Sequence, residues 1–350
     1  MNVDYKLPVY LTLLPLVLIF VAVVFNTITT LALLVKADKN VNCFKYLAII
    51  AFFDTLCMFT WNLNQFLAPN FGIEIENYNI YTCRIFLYMQ FTAIQISSLL
   101  RSLLCIERYY FVMKFSNLMR IGKNLFGSKM SVKFWITFSI ILGVILNSHL
   151  LFNNGSYVEI RQKIVLRQEN GCNLSITVLK FMCKDKKMTN SKHFWKHVNL
   201  ITALIIPSAL MIIFDYLLVY RTYISMKQMQ KHLKSTNYHK SNSFTASILY
   251  ISIAYLVLHT PVNLYFSFSN DDAQYNNKIL LFIITELNFL PHSIIFFELY
   301  LTNKKFYNIF HTCYDINQDV YTGHFSQVIN LNYYSIYNDH VISVIDNLIL

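Results

Sequence analysis

Six places in this chain set ionisable side chains inside otherwise apolar stretches: Asp54, Arg101, the adjacent Glu107 and Arg108, Asp215, Glu286 and Glu298. In a low-dielectric surrounding such groups are costly and mark functional positions. Asp215 and Glu298 stand near the ends of their stretches, where a side chain can snorkel to water. Asp54 and Arg101 lie near the middle, where it cannot, so Arg101 demands a partner. Proton or metal chemistry would need histidines and carboxylates gathered at ligand spacing. His149, His259 and His292 fall in different stretches without HxxxH or HxxE spacing. The sequence therefore indicates no metal site, no cofactor and no enzyme, and points to charge pairing inside a bundle.

Composition says what must hold these groups. Of 350 residues, 55% are hydrophobic and 13% charged, with a mean hydropathy of +0.43. A soluble domain carries about a quarter charged residues, so most of this chain has lipid as its solvent. The net charge of +11 is no sign of nucleic-acid binding in such a protein. With only 7 Gly and 6 Pro, long helices are favoured, and no stretch shows the period of two of a barrel strand. Seven runs reach the roughly 20 apolar residues of a helical span: 8–35, 46–69, 84–110, 133–152, 196–221, 244–269 and 279–301. The expectation is an all-α integral membrane protein. The first run is too long for a signal peptide and lacks a small-residue cleavage site, so it reads as an uncleaved anchor.

Orientation follows from the basic residues. With the N-terminus outside, 16 Lys and Arg fall on the cytoplasmic side, while the short outer segments hold only Lys6, Arg84 and Lys278. Nine more lie between Arg161 and Lys196, in a loop long enough to weigh little in this rule. Two glycosylation sequons, at Asn154 and Asn173, share that loop. The odd number of spans and the lack of two-half symmetry count against a repeat-built transporter. The tail, 313–350, falls on the cytoplasmic side.

The singular residues form an ordered series. Asn26 lies midway along the first span and Asp54 midway along the second; Cys83 opens the third and Glu107-Arg108-Tyr109 closes it. Trp135, Pro207, Pro261 and Pro291 follow in the fourth to seventh spans. This series resembles the rhodopsin-like (class A) G-protein-coupled receptors over about residues 8–312. The resemblance implies a seven-transmembrane-helix bundle in the plasma membrane, with a short cytoplasmic eighth helix at about 303–312. It implies that Glu107 holds Arg108 at rest, and that Arg108 meets a heterotrimeric G protein once the sixth helix moves outward; arrestin is a further implied partner. The kink prolines would be Pro207, Pro261 and Pro291.

Departures from that pattern are as specific. His259 stands where the family has a Trp, and around Pro291 only the Pro of Asn-Pro-x-x-Tyr is kept. Ser98, Pro207 and Tyr255 replace the family's connector, and Ser241-Asn242-Ser243 replaces an acidic lock. Asn26, Asp54, Ser97, Arg101 and Glu286 would form the core polar network. Ser97 and Arg101 share a helical face, which the family turns toward Asp54. The expectation is an Arg101–Asp54 pair filling the place where relatives bind sodium, with Glu286 as the other candidate partner. Raised basal signalling is also expected, since relatives have an apolar latch where Arg101 stands.

Of the seven cysteines, Cys57 and Cys105 read as small apolar packers, and Cys313 is placed for palmitoylation. Cys83, Cys172 and Cys183 face the oxidising side. The family links the third helix to the second outer loop, so Cys83 should pair with Cys183 or, as the alternative, Cys172. Around the turn Glu169-Asn170-Gly171, the runs 157–168 and 172–181 read as a β-hairpin in that loop. Glu159, Glu169 and Asp185 are far outnumbered there by Lys and Arg, which would attract an acidic ligand.

By position, the resemblance places Asn64, Gln65, Gln90, Phe91, Ile94, Asn199, His259, Asn263 and Phe266 in the ligand pocket. Gln90 stands where amine receptors carry an Asp, so an ammonium ligand would lack its counter-ion there. No Lys lies between Lys278 and Lys304, which excludes an opsin. The amide-rich pocket and short third inner loop resemble peptide receptors, of invertebrate FMRFamide-like type, with an extracellular peptide as ligand. The rival readings are a chemosensory seven-helix receptor for a small molecule and a seven-helix membrane protein that is not a receptor.

Overall fold

The computed structural model describes residues 9–36, 42–115, 129–163, 175–185, 197–232, 243–268, 278–302, 306–308 and 310. Helix α1 is the run 9–36, in which α-helical Val9–Val21 and Thr27–Leu31 alternate with wider π-type turns at Ala22–Asn26 and Ala32–Lys36. Next come α2 (Asn42–Phe71), a 3₁₀ turn (Ile75–Asn77) and α3 (Ile80–Phe115). Helix α4 (Lys129–Asn147) ends in a turn and the short Leu150–Asn153. Helix α5 is the run 197–232, with π-type turns at Leu200–Ile205 leading into Ile206–His232. Helices α6 (Ser243–Phe268), α7 (Lys278–Ser293) and α8 (Ile295–Thr302) complete the described bundle.

Five of these helices are long and apolar enough to cross a membrane, and six if α7 and α8, bent by 50° at their junction, count as one span. Within α4 the apolar stretch is shorter, Val132–Asn147, whereas the sequence suggests 133–152. Its end has a local cause: the Asn147 side chain donates to Gly143 O at 2.8 Å, and amides compete in this way with the helix ladder. Helix α3 runs five residues past the expected 110. Of the expected eighth helix at 303–312, only 306–308 and 310 are described, with Phe306 buried and its ring 5.7 Å from that of Phe296.

The outward faces carry large apolar side chains, among them Phe20, Val35, Ile145, Ile212 and Val257. The buried faces hold an unusual share of polar ones, including Asn26, Asp54, Asn62, Ser97, Arg101 and His292. That inversion suits helices whose solvent is lipid: burying apolar surface between them gains little, so close packing and polar contacts must hold them together. At Gly143 a Cβ would lie 2.6 Å from Ile96 Cγ1, and this allows α4 to press against α3. Gln95 ties three helices, donating to Thr202 Oγ1 at 2.6 Å and accepting from Asn147 Nδ2 at 2.5 Å.

Strands β1 (Asn154–Lys163) and β2 (Ser175–Asp185) pair antiparallel, with Tyr157 opposite Phe181. The pairing begins three residues before the sequence-based start and extends beyond residue 181. Cys83, at the start of α3, is joined to Cys183 in β2 by a disulfide, Cα to Cα 5.5 Å. Cys183 N–H also donates to Asn77 Oδ1 at 2.7 Å, which fixes β2 to the 3₁₀ turn. The alternative, Cys172, lies outside the described residues, as does Asn173.

A cross-link that closes a loop of about 100 residues stabilises a fold by roughly 4–5 kcal/mol in the chain-entropy account. Cys183→Ser is therefore expected to lower the melting temperature of the purified protein in lipid nanodiscs well below that of Cys172→Ser. Equal losses in the two variants would contradict the assigned bridge.

Candidate functional site

The deepest polar group is Arg101, the largest fully buried side chain among the described residues. Its Nη2 donates to Asp54 Oδ2 at 2.5 Å, and Nε lies 3.4 Å from Ser97 Oγ, one turn earlier on α3. The other Asp54 oxygen accepts from Ser97 Oγ at 2.5 Å and is 2.6 Å from His292 Nδ1. An ionised carboxylate only accepts, so Nδ1 carries the proton in that contact. The guanidinium carbon also lies 4.7 Å from the centroid of the Tyr255 ring, a cation–π distance. Tyr255 in turn stacks on His259 at 4.5 Å, and the His259 and His292 rings are 6.0 Å apart.

The backbone explains why His292 reaches this point. Pro291 has no N–H, and the bend at Ile294 breaks the ladder between α7 and α8. Asn26 Nδ2 donates to His292 O at 2.8 Å, while Arg101 Nη2 approaches Pro291 O at 3.5 Å. A similar repair occurs on α5. Pro207 offers no N–H to Ala203 O, and Ser98 Oγ supplies the donor at 2.7 Å.

A second polar cluster lies between α5 and α6. Ser252 Oγ donates to Asp215, and Cys105 is buried in α3. Asp215 is therefore buried in the bundle rather than snorkelling outward, and Cys105 lies in the apolar core. Near the C-terminal end of α3, Cys43 Sγ of α2 donates to Glu107 Oε2 at 2.5 Å. The Arg108 guanidinium lies 5.4 Å from the Phe111 ring centroid. Tyr109 is buried, with its ring 5.6 Å from Phe214.

Among the residues expected in the core network, the structure brings together Asn26, Asp54, Ser97 and Arg101. Glu286 is not among the partners of Arg101; His292 takes that place beside Asp54. Helical phase separates the two, since six residues on a helix are about 240° apart.

The expected pocket residues divide similarly. Asn64 Oδ1 accepts from Ile75 N–H at 2.9 Å and so ties α2 to the 3₁₀ turn. Burial and the neighbouring Glu74 carboxylate push the Glu76 carboxyl up in this turn, and the Asn64 amide draws it partly back. Asn263 Nδ2 is engaged by His259 O at 2.8 Å, and the His259 ring belongs with the core aromatics. Gln90 is buried, whereas Gln65, Phe91, Ile94 and Asn199 are half-buried. The side chain of Phe266 lies outside the described residues. Pro207 and Pro291 are buried, and Pro261 is exposed within α6.

No protein-family model and no curated protein matches the chain. The site must be interpreted from its own chemistry.

That chemistry leaves little room for a small cation at Asp54, because Arg101, His292 and Ser97 already occupy its oxygens. Exchanging sodium for choline at constant ionic strength is expected to leave the melting temperature of the wild-type protein unchanged. In Arg101→Leu, the uncovered carboxylate should gain a sodium-dependent stabilisation. A sodium-stabilised wild type would contradict the assignment.

Proposed function

We propose that this chain is a seven-helix G-protein-coupled receptor of the plasma membrane, with α7 and α8 together as its seventh span. It would convert binding of an extracellular peptide into activation of a heterotrimeric G protein. The observation that carries the proposal is the layout of α3. This single helix has the disulfide at one end, Arg101 and Ser97 at its centre, and Glu107-Arg108-Tyr109 toward the other end. Cys83 and Arg108 are 25 residues apart, which is about 37 Å along a helix. That distance suits a span with one end outside the bilayer and the other in the cytosol.

In this reading the resting state is one in which Cys43 and Glu107 hold the inner end of α3, and Tyr255 covers Arg101. Outward movement of α6 would take the Tyr255 ring off the guanidinium, and Arg108 would then be free to meet the G protein. Two arrangements of one interface, with a modest energy difference between them, are enough for a switch. Peptide recognition draws its support from the β1–β2 ribbon joined to α3, and from the buried amides at the outer ends of the helices. The sequons at Asn154 and Asn173 and the distribution of Lys and Arg support an N-terminus outside.

Basal and peptide-evoked G-protein activation in cells expressing the full chain tests this, beside an Arg108→Ala control. The expected result is a peptide-evoked signal that Arg108→Ala abolishes at equal surface expression. Tyr255→Leu should raise the basal signal several-fold, because it removes the contact between α6 and Arg101. A signal that survives Arg108→Ala would overturn the reading.

A further inference from the structure

One buried carboxyl has no role in the account above. Glu286 is only 4% exposed, and neither of its oxygens has a hydrogen-bond partner among the described residues. It lies on the face of α7 that carries Phe282, Phe289 and Ser293, not on the face of Asn288 and His292 that meets the charged core. Phe289, three residues deeper, packs with Leu18 and Ala22 of α1 and with Met58 of α2.

Helices α2 and α7 run in opposite directions, so the level of Glu286 is one turn beyond Met58 on α2. That residue is Asn62, fully buried, and its amide oxygen and nitrogen likewise have no partner among the described residues. Trp61, beside it, has a buried indole N–H in the same condition. Ala93 of α3 belongs to the same packed cluster, and one turn outward from it is the buried Gln90.

These groups share a depth. Glu286 is eight residues from the start of α7, Asn62 nine from the end of α2, and Gln90 ten from the start of α3. All three therefore lie about 12–15 Å inside the outer ends of their helices. The charged core around Asp54 is deeper still. Glu286 accepts no hydrogen bond among the described residues, although the Asn62 amide and Trp61 indole donors stand at its level; a desolvated acceptor left without a donor is costly, so the site is incomplete. The group that completes it brings positive charge and several N–H donors.

We propose that Glu286 is the counter-ion for a cationic group of the ligand, the guanidinium or ammonium of a basic peptide residue, with Asn62 and Gln90 as its polar neighbours. The proposal rests on the receptor reading and refines it. The third helix, with Gln90, offers such a group no charge, and the counter-ion comes from α7 instead. The basic outer loop then acts on other parts of the ligand, and the segment that penetrates the bundle is positive.

The test uses the full-length protein in nanodiscs and four libraries of tetrapeptide amides that differ at one fixed position: arginine, lysine, citrulline or glutamate. Binding is read as a shift in melting temperature, and Arg108-dependent signalling is read in parallel in cells. Arginine or lysine libraries are expected to stabilise the wild type, while citrulline, which keeps the shape of arginine without its charge, acts at least about thirtyfold more weakly. Glu286→Gln should abolish that selectivity. If Glu286→Gln fails to fold, Glu286→Asp replaces it, with charge selectivity kept and affinity reduced about tenfold. Equal action of arginine and citrulline, preference for glutamate, no stabilisation by any library, or unchanged selectivity in Glu286→Gln would overturn the proposal. Charge-selective binding without an Arg108-dependent signal would support the anchor and remove the receptor reading.

Discussion

A guanidinium with no route to water organises this molecule. Arg101 sits at the centre of α3, and its long side chain cannot reach either surface. Its charge must be met where it stands, and Asp54 of α2 meets it at 2.5 Å. Because a carboxylate has two oxygens, the same group also takes Ser97 and His292. Tyr255 covers the guanidinium from α6, and Asn26 of α1 holds the backbone carbonyl of His292. Five helices are thus tied through one pair of charges. Removing either charge alone would leave the other buried and unmatched, at a cost of about 3–5 kcal/mol.

The same constraint governs the backbone. In a bundle whose exterior is apolar, a carbonyl that loses its helical partner cannot be left to water. The proline in α5 leaves Ala203 O without its ladder donor, and Ser98 supplies one. At the α7–α8 bend, Asn26 serves His292 O and Arg101 approaches Pro291 O. Polar side chains in this core therefore have two duties: they satisfy one another, and they reach backbone carbonyls at a proline and at a helix break.

Much of this was legible in the sequence, for reasons that can be named. Asp54 and Arg101 betray themselves because a mid-span charge has few alternatives to pairing. The helical character follows from composition and run length, with boundaries that shift by a few residues. His292 was not legible as their third member, since its position depends on the α7 bend. A search for donors next to a backbone break could have found it. Glu286 is a candidate partner for Arg101 by its charge alone; helical phase sets it on a different face of α7 from His292. Asn64 and Asn263 look like pocket residues by position, but a nearby turn and a helix carbonyl engage their amides. Such local competition does not show in spacing alone. Cys43 gives no sign in the sequence that its thiol meets the Glu107 carboxyl.

The charged centre and the Glu107–Arg108 end of α3 are joined by one continuous helix, and α2 meets α3 at both places through Asp54 and Cys43. Tyr255 on α6 and His292 on α7 complete the charged centre from the other side. The central claim, that the Asp54–Arg101 pair is the interaction on which the bundle depends, is open to a double-mutant cycle. Thermal unfolding would be compared in nanodiscs for the wild type, Asp54→Asn, Arg101→Leu and the double variant. The account predicts that the double variant loses less than the sum of the two singles by at least about 2 kcal/mol. Additive losses would show that the two charges do not depend on each other, and would contradict it.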